Sequence, residues 1–150
     1  QIYFDAVLTK TKDILASQLL ESKASITAQF DAEAILFPAT YLESIFLNLV
    51  SNAVKYRSPN RSLQIHMETT QQAAEVILRV RDNGLGIDMQ KYGDKLFGLY
   101  KTFHPAKDAK GLGLFITKAQ VEAMGGHITA ESEVDKGTTF IIRFGPASLR

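Results

Sequence analysis

The chain has 150 residues, 45% of them hydrophobic and 22% charged, the profile of one globular domain with a sizeable core. A net charge of +1 gives no electrostatic case for nucleic acid or an anionic membrane, and the absence of cysteine excludes disulfides, thiol catalysis and thiolate metal sites. His66, His104 and His127 lie far apart with no zinc spacing, and no apolar run approaches the ~20 residues of a membrane span.

Residues 2–4 (IYF) read as a short strand, and Asp5 as the cap of a helix over 6–22, with Val7, Leu8, Thr11, Ile14, Leu15 and Leu19 at helical spacing. Residues 25–30 alternate as a strand does, and 35–37 read as a very short one ended by Pro38. A central helix is expected over 41–56, opened by a Thr40/Glu43 capping box and stopped by Ser58-Pro59-Asn60. Its buried stripe is Leu42, Ile45, Phe46, Leu49, Val50 and Ala53. Asn48, Asn52 and Lys55 run along one edge of that stripe at i, i+4, i+7. Such an edge can be merely solvated. It can also hold a divalent cation through an amide oxygen and phosphate oxygens through the ammonium.

Strands over 62–69 and 74–81 form an antiparallel hairpin around Thr70–Ala73. The stretch 83–110 is long, glycine-dotted and weakly periodic, as expected of a functional lid, with residues 93–110 its mobile part. A helix over 112–124 has Leu112, Phe115, Ile116, Ala119 and Ala123 as its stripe and Gly125-Gly126 as its C-cap. A last hairpin joins 127–133 to 138–144 around Asp135-Lys136-Gly137. The pattern is α+β: helices over a mostly antiparallel sheet.

Asp82-Asn83-Gly84-Leu85-Gly86 leaves a strand end. It is ordinary turn chemistry when alone, and otherwise a carboxylate for a base's exocyclic amine beside glycines that admit a ligand. Lys110-Gly111-Leu112-Gly113-Leu114 opens a helix. Glycines there leave amides clear for phosphate, or simply allow tight packing. Neither stretch is a Walker or Rossmann motif, and no protein-kinase HRD or DFG set is present. Gly137-Thr138-Thr139-Phe140 closes the hairpin and offers Thr138 as a partner for Asp82. Tyr56 and Tyr100 offer rings that stack on a ligand or bury in a core.

Together and in order, these stretches resemble the catalytic and ATP-binding domain of bacterial sensor histidine kinases, in the GHKL ATPase superfamily. The N box is NLVSNAVKY (48–56), the G1 box DNGLGI (82–87) and the F box KLFGLYKTF (95–103). The G2 box is KGLGLFITKAQVEAMGG (110–126), and the G3 motif is GTTF (137–140). YRSP after the N box and LFGLYKTFH resemble the phytochrome-type branch. The resemblance implies a two-layer sandwich, a five-stranded mixed sheet on three main helices. It implies Mg²⁺ on Asn52, with Asn48 beside it toward the phosphates and Lys55 on the phosphates. It places adenine against Tyr56 and Asp82, with Gly84 and Gly86 at the lid hinge and Ile87 among the ATP-binding residues. It puts phosphate on Gly111 and Gly113 with Lys110 as an added contact, counts Leu112 and Leu114 among the ATP-binding residues, and sets Thr138 beside Asp82.

Hydrolysing members of the gyrase type carry a Glu four residues before the magnesium Asn; here Asn48 stands there, and an amide is a poor general base. The resemblance therefore implies phosphoryl transfer to a histidine, with Asn48 and Lys55 as the catalytic pair. The sequence departs from the family at Ala109, in place of a G2 glycine, at Lys110, in a Thr/Ser position, and in a short lid between Phe103 and Gly111. None of the three histidines sits on a phosphoacceptor hairpin. The chain starts at Gln1 and is expected to be a piece of a longer, homodimeric protein; the piece itself is expected to be soluble, cytoplasmic and monomeric. It is expected to bind Mg·ATP without phosphorylating itself. The implied partners are a dimerisation and phosphoacceptor domain and a response regulator. The alternatives are a degenerate nucleotide-binding regulatory module, or a GHKL hydrolase or serine kinase.

Overall fold

A computed structural model describes residues 1–98 and 112–149 of the chain. The elements run β1 (Ile2–Tyr3), α1 (Phe4–Ile14), α2 (Ala16–Glu21), β2 (Ser25–Phe30), β3 (Ala34–Ile35) and α3 (Ala39–Lys55), then β4 (Gln64–Gln72) and β5 (Glu75–Asp82). The short helix α4 (Met89–Tyr92), α5 (Leu112–Ala123), β6 (His127–Glu133) and β7 (Gly137–Arg143) complete them. Five strands form one sheet in the order β2-β4-β5-β7-β6, and β1 pairs with β3 in a separate two-stranded ribbon. Only β2 and β4 are parallel. A parallel pair needs a crossover, and α3 supplies it by lying over the sheet between them. The expected two-layer α+β architecture, a five-stranded sheet on helices α1, α3 and α5, is the one observed.

Alternation decides which face meets the helices. Ile65 and Met67, then Val76, Leu78 and Val80, then Phe140 and Ile142 all point inward and are buried. Against them α3 buries Leu42, Ile45, Phe46, Leu49, Val50 and Ala53, the stripe read from the sequence, together with Val54. Phe4 sits at the centre, its ring 5.6 Å from Phe30, 6.0 Å from Phe144 and 6.3 Å from Phe46. The first helix is thereby packed against the end of β2, against α3 and against the segment after β7.

Several expectations are corrected. The first strand ends at Tyr3 and the helix begins at Phe4, so Asp5 lies in its first turn and does not cap it. The Phe4 amide instead donates to the Glu33 carbonyl at 3.0 Å. The expected helix over 6–22 is two helices, broken at Leu15, where ψ reaches 16°. α3 starts at Ala39 behind Pro38 with no side-chain cap; Thr40 is inside the helix, and Glu43 pairs with Lys10 at 3.0 Å. Thr40→Ala is accordingly expected to leave thermal stability within about 0.5 kcal/mol, where loss of a working cap costs about 1 kcal/mol. The strand expected at 35–37 is Ala34–Ile35. The β4–β5 hairpin closes more tightly than expected, at Ala73-Ala74, with Ala73 in the left-handed region at φ 50°.

The stripe of α5 is also corrected. Phe115 and Ile116 are 40% and 39% exposed, Ala119 and Ala123 face outward, and the buried positions are Leu114, Thr117 and Val121. This helix is apolar on more than one face, so spacing alone does not select the inner one. Thr117 is tolerated inside because its hydroxyl donates to the Gly113 carbonyl at 2.8 Å. The helix ends as expected. Gly125 is left-handed at φ 82°, and the amides of Gly125 and Gly126 donate to the carbonyls of Glu122 and Val121.

Candidate functional site

Three segments meet where β5 ends: the C-terminal end of α3 with the loop after it, the turn 83–87, and the β6–β7 hairpin. Asp82 is the last residue of β5 and lies opposite Thr138 on β7 and Ile65 on β4, all on the helix side of the sheet. Its Oδ1 accepts from the Gly84 amide at 2.9 Å and the Thr138 amide at 3.3 Å. Its second oxygen has no partner among the described residues. Burial pushes the Asp82 carboxyl above the usual carboxylate range, and the two amides pull the other way without prevailing. A half-buried carboxylate with one open oxygen is built to accept from something polar.

Around it the backbone is tightly fixed. The Leu85 amide donates to the Tyr56 carbonyl at 2.9 Å, the Asn83 amide to Gln64 at 3.2 Å, and the Ile87 amide to Ser132 Oγ at 2.8 Å. From Asn83 to Ile87, only the Gly86 amide is without a partner among the described residues, and Gly86 is buried. Ser132 Oγ also meets the Thr138 hydroxyl at 2.7 Å and donates to the Gly137 carbonyl at 2.9 Å. Ser132 therefore ties the exit of the turn to the strand that holds Asp82.

The glycines of this turn answer to protein contacts. A methyl on Gly84 would stand 2.6 Å from the Tyr56 carbonyl oxygen. Gly86 is left-handed at φ 73°, and a methyl there would collide with the Glu133 carbonyl. The glycine requirement at both positions is thus set by the chain's own backbone rather than by room for a ligand.

Along α3, Tyr56 is half-buried, with its hydroxyl pKa raised by that burial, and the Lys55 ammonium lies 5.9 Å from its ring centre. Asn52 and Lys55 are partly exposed, and their side chains make no hydrogen bond or ion pair with the described residues. Asn48 is held differently. Its amide nitrogen lies 3.3 Å from both the Gly113 carbonyl and the Thr117 hydroxyl, joining α3 to the start of α5. A methyl on Gly113 would meet Asn48 only at ordinary contact distance, 3.7 Å. Leu114 is buried and packs in the core. One flank of α3 thus runs from the first turn of α5, at Asn48, to the Asp82 turn, at Tyr56.

Asp82, Gly84, Gly86, Ile87, Thr138 and Tyr56 are therefore brought together, and Asn48 meets Gly113. Lys110 and Gly111, Tyr100, Ala109, His104 and residues 99–110 of the expected lid lie outside the described residues. Among the described residues no group of three or more His, Asp and Glu side chains could hold a metal. A magnesium ion would then rest on the Asn52 amide oxygen, nucleotide phosphates and water. That suits a cation that keeps its waters and takes few protein ligands. Among the same residues, no helix is long and apolar enough to cross a membrane.

Sequence reasoning missed Arg61 and Ser132. Arg61 lies in the loop after α3, where a charge normally reads as solvated. Ser132 carried a signal, because Ile128 and Ala130 precede it on the inward register of β6 and a polar residue there needs a partner.

A family model described as "Histidine kinase-, DNA gyrase B-, and HSP90-like ATPase" matches residues 38–148. Cyanobacterial phytochrome A of Nostoc sp. is 33% identical over 138 residues, 91% of this chain and 18% of that protein. Sensor protein RprX of Bacteroides fragilis is 30% identical over 142 residues, 91% of this chain and 27% of that protein. The chain thus spans under a third of either relative. The catalytic domain of histidine kinase ThkA in nucleotide-free form has a TM-score of 0.79 at 21% identity, over 97% of this chain and 93% of that one. Full-length ShkA in complex with AMPPNP has a TM-score of 0.82 at 22% identity, over 99% of this chain and 31% of that one. Both likenesses concern the fold.

Proposed function

The chain belongs to the histidine kinase-, DNA gyrase B- and HSP90-like ATPase family, as a catalytic domain of the sensor histidine kinase type, and from that premise we propose that it binds Mg·ATP and passes the γ-phosphoryl group to a histidine on a separate phosphoacceptor domain. Residues 1–150 form one catalytic and ATP-binding domain of a longer protein in this reading. That protein acts as a homodimer and hands its phosphoryl group to a response regulator.

The observation that carries the reading is that, among the described residues, the second oxygen of Asp82 and the amide of Gly86 in the turn after it have no partner. A carboxylate acceptor and an amide donor in one turn are the groups that pair with the exocyclic amine and a ring nitrogen of adenine. Tyr56 lies at the adjoining end of α3 and offers its ring to the base. The side chains of Asn52 and Lys55, which make no hydrogen bond or ion pair with the described residues, are left to meet the metal and the phosphates. When bound, Mg²⁺ neutralises phosphate charge and orients the transferred group. Lys55 adds a second positive charge, and positioning with charge neutralisation supplies most of the rate. Asn48 is engaged with α5 and carries no basic group, so it cannot activate water by taking its proton. The acceptor histidine attacks in line, its nitrogen bonding to the γ-phosphorus as the bond to the β-phosphate oxygen breaks and ADP leaves.

Incubation of the chain with labelled Mg·ATP and a phosphoacceptor hairpin from a related sensor kinase tests this. The expected result is acid-labile label on the hairpin and none on the chain alone. Binding without transfer would favour the second reading, a nucleotide-switched regulatory module. Phosphate release without acceptor would mark a hydrolase, and acid-stable label a serine kinase.

A further inference from the structure

We infer that Arg61 is a positioning residue for the adenine side of the site, setting the peptide planes that aim the Gly84 and Leu85 amides. The inference rests on reading the Asp82 turn as the adenine-binding element. Arg61 leaves the loop after α3 with its side chain 31% exposed, and it reaches both other segments of the junction. Its Nε donates to the Asn83 carbonyl at 2.7 Å. Its Nη2 donates to the Gly84 and Asp135 carbonyls, each at 2.8 Å, and its Nη1 lies 3.4 Å from Asp135 Oδ1. One guanidinium thus gathers three backbone carbonyls.

A trans peptide unit is planar, with its C=O and N–H pointing opposite ways, so fixing the carbonyl fixes the amide. The Asn83 carbonyl turned to Arg61 sends the Gly84 amide to Asp82 Oδ1 at 2.9 Å. The Gly84 carbonyl turned to Arg61 sends the Leu85 amide to the Tyr56 carbonyl at 2.9 Å. The third plane is set at one remove. Arg61 holds the Asp135 carbonyl, and the Asp135 amide donates to the Leu85 carbonyl at 2.6 Å, which turns the Gly86 amide away from the hairpin. Two successive amides, both holding the site together, thereby depend directly on one side chain, and the Gly86 plane is set by the hairpin residue that the same side chain contacts. An ammonium has no planar fork and cannot reach the three carbonyls together, so lysine is not an equivalent.

The test compares wild type with Arg61→Lys and Arg61→Ala, measuring ADP and GDP affinity by calorimetry and amide hydrogen exchange in the empty protein. Both variants are expected to lose about tenfold in ADP affinity, with selectivity for ADP over GDP falling by a similar factor. Exchange at Gly84 and Leu85 is expected to accelerate while the β4–β5 amides stay protected. If Arg61→Ala does not fold, the Lys variant carries the comparison. Retained selectivity in the folded variants would overturn the inference and leave the adenine reading standing. An equal loss for ADP and GDP with a lowered melting midpoint would make Arg61 merely structural and overturn it too. Wild type that binds neither nucleotide would overturn the adenine reading and this inference together.

Discussion

Asp82→Asn is expected to weaken ATP and ADP binding about tenfold to a hundredfold while leaving the empty domain at least as stable at neutral pH. The loss is that of a charge-assisted hydrogen bond, about 1.5–3 kcal/mol, made by the oxygen that has no partner among the described residues. The retained stability follows from the raised pKa. Because burial favours the protonated carboxyl in the folded state, Asp82's favourable contribution to folding is present at acid pH. It is lost as pH rises through that raised value and the charge must be held half-buried. An amide keeps the Gly84 and Thr138 contacts and carries no charge. The melting midpoint of Asp82→Asn should therefore match or exceed that of wild type at pH 7, and the difference should shrink as pH falls through the carboxylate range. A variant clearly less stable at pH 7, with unchanged ADP affinity, would make Asp82 a structural residue.

The second large effect is expected at Gly137. This residue opens β7 at φ 128°, and a methyl there would collide with the Asp82 carbonyl and stand 3.0 Å from Asn83 Cα. Gly137→Ala must therefore open the end of the β5–β7 ladder that presents Asp82 and Thr138. Left-handed strain and the displaced strand together should cost about 3 kcal/mol, a fall in melting midpoint on the order of 10 °C. Nucleotide affinity should fall with it. Gly125→Ala is the control: φ there is also positive, at 82°, but nothing lies within 4 Å of the added methyl. It should lose only about 1–2 kcal/mol and bind nucleotide as wild type does. Equal effects of the two substitutions would show that conformation alone, and not the approach to Asp82, governs Gly137.

The contrast between these glycines shows what a sequence conveys. Gly125 was legible as a helix stop because its role is local, a left-handed residue after a periodic run. Gly84, Gly86 and Gly137 were legible as a pattern, but their cause was not. They lie against the carbonyls of Tyr56, Glu133 and Asp82, and which chain segments meet there is set by the sheet order. The strands are legible because alternation has an unambiguous period and their inner residues are apolar, most of them β-branched or aromatic. The face of α5 was misread because Phe115 and Ile116 look like core residues, whereas Thr117 is buried through hydrogen bonds that come partly from Asn48, 69 positions away. The caps at Asp5 and Thr40 failed for a similar reason. Glu33 satisfies one helix start and Pro38 redirects the other, and both act outside the local pattern. Arg61 is the extreme case, since its three carbonyl partners lie 22 to 74 positions along the chain.

The central claim is that the junction of α3, the Asp82 turn and the β6–β7 hairpin is an adenine nucleotide site with a magnesium-dependent phosphate side. Calorimetric titration of ATP and ADP into the wild-type chain, with and without Mg²⁺, tests it most directly. The account predicts binding in the micromolar-to-millimolar range for both nucleotides, with Mg²⁺ strengthening ATP more than ADP. A folded wild type that gives no heat of binding with either nucleotide, with or without the metal, would contradict it.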